Sequence, residues 1–574
     1  MKRRWVINTP PEAEKIATLS KQLHCNHVIA NLLLQRGVTT AEEAKAFFNP
    51  ALNMLHDPFL MKDMGKAVDR LEKAISSKEK VMIYGDYDVD GTTAVALLYK
   101  YLKNKCEQPE YYIPDRDTEG CGISCRAIDY AAKNGITLMI VTDCGVKAVE
   151  EINDAKSKGI DIIICDHHTP GDNLPDAIAV LDPQREDCHY PYRWLSACGV
   201  SFKLAQAYNE RHNLPMGDLY QLLDLVCVSI ASDIVPITGE NRILAYFGLQ
   251  QLNESPSLGL KTILDISGID NHRDLTINDI VFRIGPKINA AGRVESGNKS
   301  VELLIADNEA QARSVANDIN NFNDQRKKLD HSITEEALRY IKQSNPNRNP
   351  KATVLYNPNW HKGVIGIVAS RLTEYYYRPT VILTQSNGVA TGSARSVEGF
   401  DLYHAISQCS EFLENYGGHK YAVGLTLKLE NISAFQEKFE HIVGKTINEE
   451  MLIPQINIDA KIKLSDITPD MYAMIQKFAP FGPNNNIPVF MTENVTNFMH
   501  SKQVGHRNEH LKLVVVDDTR ACKDRSGIAF NMGDLYPRIS KGEFFDICYT
   551  LQENEFMGKS DIQMMIRDIK FKEE

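Results

Sequence analysis

Val81-Met82-Ile83-Tyr84-Gly85-Asp86-Tyr87-Asp88-Val89-Asp90-Gly91 opens as an apolar run and closes on three alternating carboxylates. Residues 92–103 follow with helical spacing, so the stretch predicts strand, acidic loop, helix. In an open α/β sheet such loops lie beyond the carboxyl ends of parallel strands, where ligands gather. The Asp86-x-Asp88-x-Asp90-Gly91 spacing also matches the opening of an EF-hand loop. That reading fails because the ninth and twelfth positions are Ala94 and Leu97, where the calcium loop needs a bidentate Glu at the twelfth. The preceding run also reads as strand, not helix.

Working outward, the same theme recurs. Leu138–Val141 runs into Thr142-Asp143-Cys144-Gly145, and Ile160–Cys165 runs into Asp166-His167-His168. A fourth cluster, Ser232-Asp233, follows the apolar stretch Leu225–Ala231. Taken singly, Asp143 suits a turn or N-cap, and His167-His168 a solvated surface pair. Together, four clusters that a sheet would bring to one point predict a site. Carboxylates that close repel one another and stay ionised only around a cation. Oxygen donors with one or two imidazoles suit Mn or Mg better than a thiolate zinc site. The residues therefore predict a metal-dependent hydrolase.

The 574 residues suffice for three or four domains, and 43% hydrophobic content is that of an ordinary globular protein. No apolar run reaches the ~20 residues needed to span a bilayer. The basic start, Met1-Lys2-Arg3-Arg4, has no apolar h-region after it, so a cytoplasmic location is expected. The twelve cysteines are scattered and read as reduced thiols; Cys121-x-x-x-Cys125 has no second pair to complete a zinc site. Net charge is −11, from 64 Lys plus Arg and 75 Asp plus Glu. That argues against a broadly basic surface coating duplex DNA, while leaving room for a nucleic-acid enzyme with positive charge confined to a channel.

The predicted architecture is α/β in five parts. Residues 1–75 form an N-terminal helical segment, including a capping box at Thr40-x-x-Glu43. Residues 76–299 alternate strand and helix and form a parallel, doubly wound sheet. Residues 300–350 are a connecting helix ending in the breaker-rich linker Ser344–Pro350. Residues 351–449 form a smaller α/β domain with three glycine-rich turns, at Trp360–Gly366, Gly392–Ser396 and Gly417–Lys420. Such turns expose backbone N–H groups and suit phosphate, but no Walker Lys-Ser/Thr is present. Residues 450–574 alternate apolar and polar runs and predict a β-barrel of the oligonucleotide-binding or a purely structural kind.

Asp86-Tyr-Asp-Val-Asp-Gly91, Thr142-Asp-Cys-Gly145, Asp166-His-His168 and Ser232-Asp-Ile-Val-Pro236 resemble, in that order, the four motifs of the DHH phosphoesterase superfamily. Tyr112–Arg116, Gly285–Arg293, Trp360–Gly366, Gly392–Arg395 and Ala479–Pro483 narrow the resemblance to the RecJ family of single-stranded-DNA exonucleases. The resemblance implies a 5′→3′ exonuclease that releases 5′-mononucleotides with two Mn2+ or Mg2+ ions, acting in recombination and repair. By likeness, Asp88, Asp90, Asp143, His167 and Asp233 hold the metals, with Asp86 a ligand or outer partner and Asp143 bridging. His168 would contact the scissile phosphate or orient water; Arg116, Arg293, Ser393, Arg395 and His419 would hold substrate phosphates. Implied partners are single-stranded DNA, single-stranded-DNA-binding protein and a helicase, with no membrane and a monomeric state. In the family an aromatic sits in a Gly-aromatic-Gly turn after Arg116; here the turn is Gly120-Cys121-Gly122. The stacking contact is then missing or supplied by a ring such as Tyr111 or Tyr112. Ala394 stands where Gly is usual, a milder change. A hydrolase of short RNA or cyclic dinucleotides and a non-catalytic replication scaffold are the competing readings; the intact Asp/His set argues against the scaffold.

Overall fold

A computed structural model of the protein describes residues 3–107, 109–116, 118–269, 273–343, 350–517, 524–556 and 559–572. The linker expected at Ser344–Pro350 lies, over residues 344–349, outside the described residues. Residues Arg4–Ile7 form strand β1, where the sequence reading expected only helices. Three helices follow, α1 (Ala13–Leu23), α2 (His27–Gln35) and α3 (Ala41–Phe48). The Thr40/Glu43 capping box opens α3 as the spacing predicts. Helix α4 (Met64–Ser76) leads into the first sheet.

That sheet contains β2 (Val81–Gly85), β3 (Glu110–Tyr112), β4 (Leu138–Thr142), β5 (Asp161–Cys165) and β6 (Ala179–Leu181), all parallel, in the order β3-β2-β4-β5-β6. Strands β2 and β4 are buried along their whole length, which is why they read as unbroken apolar runs. Alternate side chains serve two cores. Met82, Tyr84, Met139, Val141, Ile162 and Ile164 face helices α6 (Cys125–Lys133) and α7 (Val149–Ser157). Val81, Ile83, Leu138, Ile140, Ile163 and Cys165 face the larger core, which includes α4, α5 (Val89–Leu102) and α8 (Ala197–Arg211). Chain order reverses between β2 and β4, and the loops leaving these two strands carry Asp86 and Asp143.

A 35-residue helix, Glu309–Gln343, leads to the second sheet, order β10-β11-β9-β8-β7. Its strands are β7 (Thr353–Tyr356), β8 (Thr380–Ser386), β9 (Val389–Arg395), β10 (Leu413–His419) and β11 (Ala422–Leu427). Two of the expected glycine turns are therefore strands. Gly392-Ser393-Ala394-Arg395 lies in β9 and Gly417-Gly418-His419 in β10, and only Lys420-Tyr421 turns. Glycine serves close packing here: a Cβ on Gly392 would fall 2.4 Å from the Leu383 side chain on β8.

The last segment begins with β12 (Gln455–Ile458), which pairs with β1 instead of joining the barrel expected there. The barrel strands are β13 (Ala460–Lys461), β14 (Phe490–Asn497), β15 (Lys502–Val504), β16 (His510–Asp517), β17 (Arg525–Ala529), β18 (Phe545–Phe556) and β19 (Lys559–Phe571). Pairing of β14 with both β18 and β16 closes the ring. Leu19, Ile29, Leu32, Leu33 and Ala44 from α1–α3 share one apolar core with Phe490, Leu513, Phe545 and Tyr549 of the barrel. Arg242 joins this unit to the first sheet's helices. Its guanidinium donates to the carbonyls of Phe478 (2.6 Å), Phe47 (3.0 Å) and Lys477 (3.2 Å) and covers the Phe47 ring at 4.0 Å.

Among the described residues, the Lys203–Glu240 ion pair is wholly interior. Lys203 of α8 donates to Glu240 (3.0 Å) and to the His56 carbonyl (2.7 Å), while Glu240 accepts from Tyr190 Oη (2.6 Å) and the His56 amide (2.8 Å). Breaking a buried pair leaves one uncompensated charge, at a cost of about 3–5 kcal/mol. Glu240→Ala should lower the thermal unfolding midpoint sharply, whereas Lys203→Met/Glu240→Leu, which removes both charges, should lower it much less. An unchanged midpoint in Glu240→Ala, followed by circular dichroism, would refute this account of the core.

Candidate metal and phosphate site

The loop after β2 is shaped by its own carboxylates. Asp86 accepts from the Tyr87 amide (2.7 Å), and Asp88 caps α5 by accepting from the Gly91 amide (3.0 Å). A Cβ on Gly91 would lie 2.4 Å from the Asp86 carbonyl, so only glycine lets the helix start this close. Asp90, in the first turn of α5, is buried against the N-terminus of α8. It accepts from the amides of Ala197 (2.8 Å) and Cys198 (2.9 Å) and from Ser229 Oγ (2.7 Å).

Asp143 leaves β4 with φ +61°, a conformation Asp tolerates, and its amide donates to the Cys165 carbonyl (3.0 Å). Asp166 leaves β5 and gathers the amides of His167 (2.7 Å), His168 (3.2 Å) and Val146 (2.9 Å), together with His168 Nδ1 (2.8 Å). Asp233 arrives differently. The apolar stretch before it is helix Leu223–Ser232, not a strand, and Asp233 is its C-cap.

These elements bring three of the expected carboxylates around one atom of a fourth expected residue, His167. His167 Nε2 lies 3.2 Å from Asp143, 3.5 Å from Asp90 and 3.6 Å from Asp233, and it is buried without a hydrogen-bond partner. Two donor sets, Asp143/His167/His168 and Asp90/His167/Asp233, each have their ligand atoms within 4.8 Å of one another and share His167. Asp86 and Asp88 belong to neither set.

Burial, then the fields of Asp88, Asp90, Asp233 and Asp86, hold the Asp143 carboxyl well above its usual range. Asp233 is raised likewise by burial, Asp90 and Asp88, and Asp86 is pushed up to about 7 by burial and Asp88. Asp166 moves the other way. Burial raises it, but its bond to His168 and the charge of the two imidazoles bring it below the usual value. For His168, burial pulls down, yet the Asp166 bond and the carboxylates of Asp166, Asp233 and Asp90 carry it up to about 9. It is thus an imidazolium facing the acidic cluster.

A positive pocket adjoins the negative one. Arg116 covers the Tyr87 ring at 5.2 Å. Arg293, at the end of helix Gly285–Val294, donates to the Gly363 carbonyl (3.2 Å) and is brought down to about 10 by burial and by Arg116, Arg326 and Arg395. Arg395 on β9 donates to Ser393 Oγ (2.9 Å) and is lowered by burial and Arg116. A Cβ on Gly366, in the first turn of helix Ile365–Tyr376, would sit 3.0 Å from both Arg395 Nη2 and Ser393 Oγ, so that helix start is pressed onto the pair. Among the described residues no carboxylate pairs with Arg116, Arg293 or Arg395, an arrangement suited to an anion. His419, at the end of β10, is lowered by burial and by the positive fields of His168, Lys147 and His167. It therefore lies near His167, His168 and Lys147, carried there by the second sheet.

The rings offered as substitutes at Cys121 are engaged elsewhere. Tyr112 stacks on Tyr84 (5.8 Å, 12°) and donates to Glu119, while Tyr111 packs edge-on to Tyr99. Asp182, fully buried after β6, and Gln184, whose amide donates to the His167 carbonyl, lie outside the motifs quoted above. Asp182 follows an apolar run as Asp86, Asp143 and Asp166 do, and that signal was available; Gln184 carries none.

Family models for the DHH N-terminal domain, the DHHA1 domain and the RecJ OB domain match residues 80–230, 349–445 and 458–568. The single-stranded-DNA-specific exonuclease RecJ of Bacillus subtilis is 36% identical over 570 residues, covering 99% of this chain and 71% of the relative. The Escherichia coli RecJ is 30% identical over 97% of this chain and 98% of its own length. The crystal structure of Thermus thermophilus RecJ in complex with Mn2+ superposes with a TM-score of 0.84 at 25% identity, over 99% of this chain and 79% of that one. With such identity along almost its whole length, over sheets that hold the acidic and arginine clusters side by side, the chain belongs to the RecJ family.

Proposed function

We propose a direction and a residue-level division of labour for this chain, which is a single-stranded-DNA-specific exonuclease that works with Mn2+ or Mg2+. The observation that carries the reading is the buried, unpartnered His167 Nε2 facing three carboxylates, beside arginines that among the described residues have no carboxylate partner. That donor set fits hard divalent cations: oxygen-rich, with imidazole, and with Asp143 and Asp233 held far from their ordinary ionisation. Asp88, Asp90, Asp143, His167 and Asp233 would hold two ions, with Asp86 a ligand or its support. Bound there, the cations would supply Lewis-acid activation of water and neutralise charge building on the phosphoryl oxygens.

The chain's own groups do the rest. Asp166 fixes the His168 ring, and the imidazolium donates to a scissile phosphate oxygen or orients the attacking water. Arg116, Arg293, Ser393 and Arg395 hold a terminal phosphate, which sets the strand entering by its 5′ end and gives 5′→3′ release of 5′-mononucleotides. His419 contacts the phosphate nearest the acidic cluster. Single-stranded-DNA-binding protein and a helicase are the proposed protein partners, in recombination and repair, with a monomer as the acting state. Among the described residues no helix is long and apolar enough to cross a membrane.

Asp143→Ala should reduce strand cleavage in Mn2+ to at most a few per cent of wild type. Its metal-free thermal midpoint should fall little, because removal of a repelling, desolvated carboxyl offsets the strain of Ala at φ +61°. EDTA should silence the wild type and added Mn2+ restore it; appreciable turnover in Asp143→Ala would contradict the assignment. On strands labelled at either end, a 5′ label should appear first as a mononucleotide, while a 3′ label should remain on progressively shorter strands. Blunt duplex should resist, since unpairing costs ~1.4 kcal/mol per base-pair step; early release of a 3′-labelled mononucleotide would reverse the direction. Hydrogen bonds to charged groups contribute about 1.5–3 kcal/mol, so Arg395→Ala should lose roughly 10–100-fold in kcat/KM on 5′-phosphorylated strands and much less on 5′-hydroxyl strands. Equal losses on the two would remove Arg395 from the phosphate pocket.

A further inference from the structure

The place of the His167 imidazole is set by what grips its backbone. On one side the His167 amide donates to Asp166 (2.7 Å). On the other, its carbonyl accepts from the side-chain amide of Gln184. A carbonyl only accepts, so the nitrogen end of that amide must face it. Gln184 is itself firmly held. Its backbone amide donates to Asp182 (2.7 Å), fully buried at the end of β6, where the Leu181 carbonyl accepts from the Asp166 amide (3.0 Å). The next residue, Arg185, is 5% exposed and donates to the Val180 carbonyl (2.7 Å), to Asp63 (2.7 Å) and to both oxygens of Asp187 (2.9 and 2.8 Å). The turn 182–185 is thus anchored to strand, helix and loop, with one side chain extended to the backbone of a single residue.

We propose that Gln184 is a positioning residue of the metal centre. Its amide, acting through the His167 carbonyl, holds the imidazole where Nε2 meets Asp143, Asp90 and Asp233. This rests on the reading above that His167 is a metal ligand. Partners that orient ligands commonly account for 10–100-fold in metal affinity. Gln184 needs no contact with substrate to act in this way, and nothing in its sequence neighbourhood marks it.

The test is Mn2+ titration calorimetry on the full chain, with the metal-free thermal midpoint recorded for each variant. Gln184→Glu keeps the shape but, ionised above neutral pH, turns an acceptor toward the carbonyl; Mn2+ affinity should fall roughly 10–100-fold. Gln184→Met fills the space without the bond and should fall in the same direction by less. Wild-type Mn2+ affinity in both variants overturns the proposal, whatever the midpoints, since a purely structural brace would lower the midpoint alone. His167→Ala separates the two readings. If it loses Mn2+ while the Gln184 variants keep it, only the positioning role falls; if it binds as wild type does, the ligand assignment falls and takes the positioning role with it.

Discussion

Several carboxyl groups, Asp90, Asp143 and Asp166 buried and Asp86, Asp88 and Asp233 half-buried, crowd at the point where a parallel sheet reverses its strand order. Burial raises Asp143 and Asp233 well above the usual carboxylate range, and the fields of neighbouring carboxylates push the same way. Much of the surrounding structure answers that repulsion. Asp90 rests on the amides at the start of α8, and Asp88 on the first turn of α5. Asp166, a carboxylate of this cluster held below its usual range, is surrounded by three amides and an imidazolium. Each device places positive potential near a negative group while leaving the face toward His167 Nε2 open.

The opposite charge is handled in the same way a short distance off. Arg116, Arg293 and Arg395 repel one another in a buried pocket and are satisfied by carbonyls, a hydroxyl and an aromatic face. A chain of net charge −11 can therefore act on a polyanion. The three arginines of this pocket are local and suited to a phosphate, whereas the carboxylate cluster beside them is suited to cations. In the proposed division of labour, one cluster positions the strand while the other would hold the cations that activate water.

How much of this could be read from residues follows from how each element is buried. Strands β2, β4 and β5 lie between two helical layers, so each reads as an unbroken apolar run and the acids after it stand out. Asp233 closes a buried helix that is just as apolar, so run length alone could not separate helix from strand there. The Gly392 and Gly417 segments look like turns by composition, yet Gly392 is needed to accommodate Leu383 across β8 and β9, a contact with no local trace. Strand β14, Phe-Met-Thr-Glu-Asn-Val-Thr-Asn, carries polar residues along a closed ring and escaped the alternation rule. Pairing of β1 with β12 joins positions some 450 residues apart, and nothing near either strand announces it. The acidic half of the site was legible because it sits at strand ends; the grip of Gln184 on a backbone carbonyl was not, because any residue supplies that carbonyl.

The core shared by α1–α3 and the barrel has a consequence for synthesis. The first helices leave the ribosome with Ile29, Leu32 and Leu33 unsheltered, and their partners Phe490, Leu513 and Phe545 follow more than 400 residues later. At ~5–20 residues per second, that is a wait of roughly 20–90 s, during which the parallel sheet and its helices can close on their own contacts. The nascent chain thus folds from its middle outward, with its earliest segment among the last to find its place. The two ends settle together, and Arg242 is then covered from both sides.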